Sequence, residues 1–487
     1  MVGYVTHYGS PPPNLTVLGS KAEDAITLGR LVHRDGTIGR KIRIGKPLHV
    51  LVFGPNGKGK GTRILMPNLL QMSGLSIVVV DPKGELAAVT AAYRRRLGKV
   101  VILNPFGVNV DIPGYEDLKS DGYNPLLALN PAAPSFNVEA SLFAEAIVPI
   151  AGKEPHWDES ARSMVSAFTM YAALEAQREG REPTMARFRE MLCEWSVEPN
   201  KDNGFEGIGI PKRALDMMRL GIPGLSNKAS QFCDWNREIQ SIASTARRHT
   251  EPFDDPEIVE DMSKDGFDFA ELKRKPTTVY LILPPEMMER HAKWLRLTLT
   301  AALQSVLRAR RPGEPKVLFM LDEFFALGRL DIISTVWALT RGYGVQIMPV
   351  LQDLPQLKKL YPDAWETFIG MAGAVASFGA NDPTTAEWMS RRAGDTSADI
   401  RTLSMSKSET GSPNWPLSGG STSTSISSNY SSQRVPLMSQ QHLFGLHPGY
   451  LMLVINGLQN VAPAYAPAYY EIAQCIDRAR PNPYYLG

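Results

Sequence analysis

Residues 51–70, LVFGPNGKGKGTRILMPNLL, read as a strand running into a glycine-rich turn and then a helix. The turn nearly matches the P-loop pattern G-x-x-x-x-G-K-[ST], with Gly54, Gly59 and Lys60 in place and Gly57 between them. Such glycines let backbone N–H groups converge on phosphate oxygens, the following helix offers its positive N-terminus, and the lysine reaches the β- and γ-phosphates. Where the pattern asks for a hydroxyl the chain has Gly61, and Thr62 comes one residue late. That hydroxyl normally holds Mg2+, so either Thr62 supplies it from the shifted position or water fills the place. The plain alternative is a Gly-rich turn with a surface lysine. The apolar strand HVLVF before it and the apolar helix after it favour a nucleotide.

A second stretch supports the first. KVLFMLDEF (316–324) is an apolar strand ending in Asp322 and Glu323, the form of a Walker B segment. There the aspartate holds the magnesium through water and the glutamate polarises the attacking water. Alone, it would read as a buried strand capped by a solvated acidic pair. The separation, 322 − 60 = 262 residues, implies a sizeable insertion. Guanine specificity would show as N-K-x-D; the Asn-Lys pairs at Asn200 and Asn227 lack the aspartate, so ATP is expected. VVVDPKGEL (78–86) puts Asp81, Lys83, Gly84 and Glu85 at the C-terminal end of a strand, the edge where α/β sheets carry their sites. Asp81 is the nucleotide-site candidate there, with a tight Pro-Lys-Gly turn as the alternative. RGYGVQIMPVLQD (341–353) ends a strand with Gln352, a polar group suited to sensing a γ-phosphate or positioning water.

Outward from these motifs, HVLVFG, SIVVVD, KVVILN, TVYLILP, KVLFMLDE, VQIMPVLQD, AVASFG and YLMLVING predict buried parallel strands in an α/β doubly wound sheet. In 135–255 the apolar spacing turns helical: Trp157, Ala161, Met164, Val165, Phe168 and Tyr171 share one face. Residues 401–435, rich in Ser, Gly and Thr, lack apolar surface and are expected to be a mobile loop. The division is therefore an N-terminal segment (1–44), a nucleotide-binding domain in three parts (45–134, 256–400 and 436–487), an all-helical insertion (135–255) and the loop (401–435).

Of the 487 residues 21% are charged and 43% hydrophobic, enough for two or three domains or one large domain with an insertion. The 52 basic and 50 acidic residues leave +2, which neither demands nor excludes nucleic acid, because local clustering decides binding. Clusters such as YRRRLGK, ARRH, KRK and RARR could line a DNA channel or be solvated helix faces. Cys193, Cys233 and Cys475 have no metal-ligand spacing and fit a reducing cytoplasm without a disulfide framework. No apolar run approaches the ~18 residues of a membrane span, and MVGYVTHYGSPPPNLT lacks the plan of a signal peptide. A soluble chain is expected.

GKGKGTRILMPNLL, VVVDPKGELAAVTAAYRRRLGKVVILNPFG, YNPL, FMLDEFFALGRLDII and VLQDLPQLKKLYP together resemble the coupling-protein ATPases of type IV secretion, the TraG-like conjugation proteins. FGANDPTTAEWMSRRAGDTS and RVPLMSQQHLFGLHPGYLMLVINGLQNVAPAYAPAYYE resemble that family's C-terminal part, so the resemblance runs from about residue 45 to 472. It implies a RecA-like P-loop NTPase sheet of the FtsK/HerA type, interrupted by an all-helical domain and working with ATP and Mg2+ as a homo-hexamer around DNA. Such a protein sits in the cytoplasm, at the inner face of the bacterial inner membrane, and delivers relaxase-bound single-stranded DNA or protein substrate to the channel. Relaxosome proteins, channel ATPases and inner-membrane components are the implied partners.

Carried over by position, Lys60 and Thr62 meet phosphate and Mg2+, Asp322 and Glu323 are the Walker B pair, and Gln352 is the sensor. Arg341 matches an arginine finger reaching the neighbouring subunit's ATP, and Gly61 is common after the family's P-loop lysine. Typical members begin with membrane-spanning helices, whereas about 45 polar residues precede the first predicted strand here. That implies recruitment by partners or an anchor upstream of this chain. A DNA motor of the FtsK/HerA class outside secretion and a non-hydrolysing recognition adaptor are the competing readings. The C-terminal motifs weigh against the first, and intact Lys60, Asp322 and Glu323 against the second.

Overall fold

The computed structural model describes residues 24–33, 35–45, 48–150, 155–198, 200, 207–264, 266–309, 314–339, 342–410, 421–458 and 461–485. Two strands, β1 (Ile26–Val32) and β2 (Ile38–Ile44), come first, inside the segment expected to precede the sheet. All eight expected strands form, seven of them as β3 (Val50–Phe53), β4 (Ser76–Val80), β5 (Lys99–Leu103), β6 (Thr277–Leu281), β7 (Val317–Leu321), β8 (Val345–Leu351) and β9 (Ala374–Ser377). A pair, β10 (Asp395–Thr410) and β11 (Ser421–Pro436), precedes the eighth, β12 (Tyr450–Ile455), and a short β13 (Ala462–Tyr465) closes the set.

Eleven strands make one sheet in the order β2-β1-β13-β12-β9-β3-β8-β7-β4-β6-β5. From β9 to β5 the strands are parallel; the four beyond β9 are antiparallel. Among them is β12, the YLMLVING strand expected to be parallel, whose apolar run signals burial but not direction. Both faces of the parallel part are covered, which is why these strands read as unbroken apolar runs. The two-residue period still sorts them. In β4, Val78 and Val80 enter one core while Ile77 and Val79 enter the other.

Between β5 and β6 the chain builds the expected helices, including Phe136–Ile147, Pro155–Glu179, Met185–Cys193 and Arg237–Thr250. Phe143, Val165, Phe168 and Phe188 belong to the same buried cluster as Phe319 of β7 and Trp294 of helix Pro285–Arg308. The insertion thus shares its core with one face of the sheet. Among the described residues no helix is long and apolar enough to cross a membrane.

Residues 401–435 depart from expectation. Instead of an irregular loop, the described part of this stretch pairs as an antiparallel ribbon from Asp395↔Pro436 to Thr410↔Ser421. Lack of apolar surface rules out a packed core but not a two-stranded ladder, which needs only backbone pairing and side chains tolerant of extended geometry. Serine hydroxyls reinforce it across the strands, Ser406 to Ser425 at 2.7 Å and Ser408 to Ser423 at 2.8 Å.

Candidate nucleotide-binding site

Because β3, β8 and β7 are neighbours, their C-terminal ends bring the P-loop, Gln352 and the Asp322–Glu323 pair to one edge of the sheet. The Gly54 N–H donates to the Leu351 carbonyl at 3.1 Å, tying the P-loop to the strand that carries Gln352. Gly57 (φ 76°) and Gly59 (φ 82°) occupy the left-handed region, where a side chain is strained. A Cβ on Gly59 would also stand 3.1 Å from the Thr62 hydroxyl. The loop therefore needs glycine for its backbone, and Gly54, Gly57 and Gly59 form the turn the sequence predicted.

Lys60 is buried, and its ammonium donates to the loop's own carbonyls, Gly54 at 2.5 Å and Pro55 at 3.4 Å. Burial lowers its pKa; Glu323 and then Asp322 oppose that shift, and Lys83 adds to it. These four charges therefore share one field. Thr62 Oγ1 donates to the Gly59 carbonyl at 3.3 Å, so the displaced hydroxyl remains on the loop. Gly61 is different: a Cβ there meets no atom within 4 Å, and its φ lies outside the left-handed range. A serine at 61 is sterically admissible. We expect Thr62→Val to weaken Mg2+-dependent nucleotide binding about tenfold, and Gly61→Ser to restore it in the double variant. Titration of nucleotide affinity against Mg2+ checks this, and an unchanged magnesium requirement in Thr62→Val would assign the position to water.

Asp322 accepts from the Glu323 N–H at 3.1 Å. Burial, with the neighbouring Glu323 carboxylate, pushes its pKa up to about 6 while Lys60 pulls the other way. Glu323 has φ 50° and ψ 45°, and Asn109 is the other non-glycine residue with positive φ among the described residues. Such a backbone costs on the order of 1–3 kcal/mol and clusters at functional sites.

Val80 pairs with Leu321, so Asp81 stands beside Asp322 in the next strand. The Asp81 carboxylate is buried and accepts from the Ala87 N–H at 2.8 Å. The structure thus commits this expected nucleotide-site residue to the first turn of helix Glu85–Leu97. Burial drives its pKa to about 7 against the pull of the Ala87 and Leu86 amides. Because folding raises this carboxyl above its ordinary 3.8, the cost of the buried charge is absent at low pH and complete above about pH 7. Asp81→Asn should therefore gain stability over wild type as pH rises from 4 to 8, by about 2 kcal/mol or more, with nucleotide affinity unchanged. Chemical denaturation across that range measures it; a constant difference would give the carboxylate another partner.

The Gln352 N–H donates to Gln356 Oε1 at 2.9 Å, fixing the turn at the end of β8. Arg341, the expected arginine finger, lies outside the described residues.

Sequence reasoning missed two supports. Arg296, buried in helix Pro285–Arg308, donates to the carbonyls of Ala146, Leu327 and Arg329 at 2.7–2.9 Å. It ties the segment after Glu323 to an insertion helix, and burial lowers its pKa to about 10. A lone arginine in the apolar run KWLRLTLTAAL was the available signal. The second support is the C-terminal end. Tyr484 OH donates to the Lys83 carbonyl at 2.5 Å, and Asn482 donates to Glu85 at 2.6 Å. Nothing local in PNPYYLG announces this clasp.

A family model described as Type IV secretory system Conjugative DNA transfer matches residues 13–483. The conjugal transfer protein TraG of Escherichia coli is 27% identical over 384 residues, covering 73% of this chain and 56% of that protein. Protein VirD4 of Agrobacterium fabrum (strain C58) is 26% identical over 373 residues, covering 74% and 52%. The chain thus spans about half the length of the curated relatives it matches. Among solved structures, the bacterial conjugative coupling protein TrwBdeltaN70 superposes with a TM-score of 0.61 at 16% identity, covering 88% of this chain and 87% of that one. TrwB in complex with an ATP analogue gives a TM-score of 0.61 at 16% identity, covering 92% and 90%. At that identity the likeness shows the fold, a RecA-like α/β sheet.

Proposed function

Because the chain belongs to the type IV secretory system conjugative DNA transfer family, we propose that it is an ATP-driven coupling protein, delivering relaxase-bound DNA or protein substrate to a secretion channel. The observation that carries the hydrolytic part is Glu323, held in strained backbone beside Asp322 on the same sheet edge as the P-loop.

The residues present fit a nucleotide with magnesium. Two left-handed glycines shape the loop, Lys60 brings a buried cation, and Asp322 and Thr62 bring oxygen ligands. TrwB has been solved with ADP and Mg2+ and with analogues of ATP and of GTP; for this chain the absence of N-K-x-D keeps ATP as the expected nucleotide. Asp322 and Thr62 would hold Mg2+, which when bound would supply positive charge against the charge developing on the phosphates. In this assignment Lys60 exchanges its bonds to Gly54 and Pro55 for phosphate oxygens. Asp322 would hold the metal, Glu323 would orient the attacking water and accept its proton, and Gln352 would contact the γ-phosphate side. Arg341 would act on a neighbouring copy's nucleotide within a homo-hexamer. The cytoplasmic face of the bacterial inner membrane is the proposed location, with relaxosome proteins, channel ATPases and inner-membrane components as partners.

The helical insertion is the proposed cargo-facing unit. Trp195 is 78% exposed there, beside the small bridge Val197↔Ile208, and a large exposed aromatic suits an interface hot spot. Deleting the insertion would open the shared core, so the test is a surface change. Trp195→Ala should cut cargo transfer in cells about tenfold or more while leaving ATP turnover intact. Transfer at the wild-type level would remove this face from recognition.

A further inference from the structure

The edge hairpin β1–β2 carries GRLVHRDGTIGRKIRI, far more basic than the strands beside it. Its register places Arg30 directly opposite Lys41, and Thr27 opposite Arg43. Like charges facing across a strand pair are destabilising, so this arrangement works against the fold that holds it.

Arg30 and Lys41 line a groove of about 410 Å³. It is also lined by Arg63, Pro67 and Gln71 of the helical segment that follows the P-loop, and by Tyr465. The internal bonds leave most of the positive charge uncompensated. Arg30 donates to the Gly39 carbonyl at 3.0 Å, and Lys41 to the Gln71 amide oxygen at 3.2 Å, both neutral acceptors. Arg63 has the one ion pair, to Glu471 at 3.2 Å. Arg43 Nε is buried without a hydrogen-bond partner among the described residues. Three cations, Arg30, Lys41 and Arg63, therefore line the groove against a single carboxylate, Glu471. Burial chiefly, and then the nearby Arg43, lower the Lys41 pKa.

We propose that this groove binds the phosphodiester backbone of DNA, at a site separate from the nucleotide edge. The inference rests on the reading that DNA is the cargo. A concave groove of nucleotide dimensions lined by cations suits a strand laid into it better than a flat anionic surface laid over it. The groove also shares a wall with the catalytic loop. Arg63 lines it while its own N–H donates to the Gly59 carbonyl at 2.8 Å, so a phosphate arriving there touches the first turn after the P-loop.

The test is fluorescence anisotropy with a 20-nucleotide single strand and the matching duplex over a salt series, using the full chain. Arg30→Gln/Lys41→Gln should lower single-strand affinity about tenfold or more. It should also flatten the slope of log affinity against log salt by about 1.4, at ~0.7 for each lost phosphate contact on a single strand. Lys41→Gln alone should give about half that change. Turnover of ATP without DNA should be unaffected and the melting temperature should not fall, since a like-charge pair is removed. Wild type that binds DNA together with a double variant of equal affinity and slope overturns the groove assignment. Wild type that binds neither DNA overturns the cargo reading as well. A double variant that keeps its DNA affinity but loses binding to phosphatidylglycerol vesicles reassigns the groove to a membrane and overturns the proposal.

Discussion

Glu323→Gln should hold ATP with wild-type affinity and lose turnover by about 10²–10⁴-fold, the usual contribution of a positioned general base. The amide keeps the size and hydrogen-bonding reach of the carboxylate and removes its negative charge and with it the capacity to take a proton. Lys60, Asp322 and the P-loop are untouched, so binding survives. The backbone supplies an independent check. At φ 50° a glycine is unstrained, and Glu323→Gly should melt higher than wild type by the equivalent of about 1 kcal/mol while being as inactive as the glutamine variant. Stability gained together with activity lost is the signature of strain maintained for function. Turnover by Glu323→Gln near the wild-type rate would move the base elsewhere.

Lys60→Ala should lose nucleotide affinity by about 10²-fold, the value of a charge-assisted bond or two to phosphate, and with it all turnover. Lys60 is buried against the loop's own carbonyls, so its removal also leaves the Gly54 oxygen without that donor, and the variant should be slightly less stable. Lys60→Arg separates charge from shape: the planar guanidinium carries the same charge but does not fit the slot between Gly54 and Pro55. It should bind nearly as poorly as alanine. Calorimetric titration with ATP decides between these outcomes, and near-normal affinity in Lys60→Ala would end the P-loop assignment.

The parallel sheet was legible because its strands are buried on both faces. Val78, Phe319 and Val350 lie in runs that have no other stable home. β1 and β2 were not legible, because an antiparallel edge tolerates Arg30, Lys41 and Gly29 and so lacks the apolar run that marks a strand; β13, the four residues APAY, is too short and proline-interrupted to show one. The ribbon β10–β11 escaped for a related reason: composition reports whether a segment can build a core, not whether it can pair with itself. At the site, residue types and order pointed to Lys60, Asp322, Glu323 and Gln352, and the topology brought their strand ends together. The left-handed backbone of Glu323 and the capping role of Asp81 depend on tertiary context. So does the clasp of Tyr484 on Lys83, which spans 401 positions.

The most direct test of the central claim is phosphate release from ATP and Mg2+ by the full chain, alone and with single- or double-stranded DNA, with assembly mass recorded on the same samples. A DNA-pumping motor predicts turnover that rises when DNA is added, in a species six times the mass of the chain, and that vanishes in Glu323→Gln. Firm ATP binding with no phosphate release under any of these conditions would contradict it, and would leave a recognition adaptor with a silent nucleotide site.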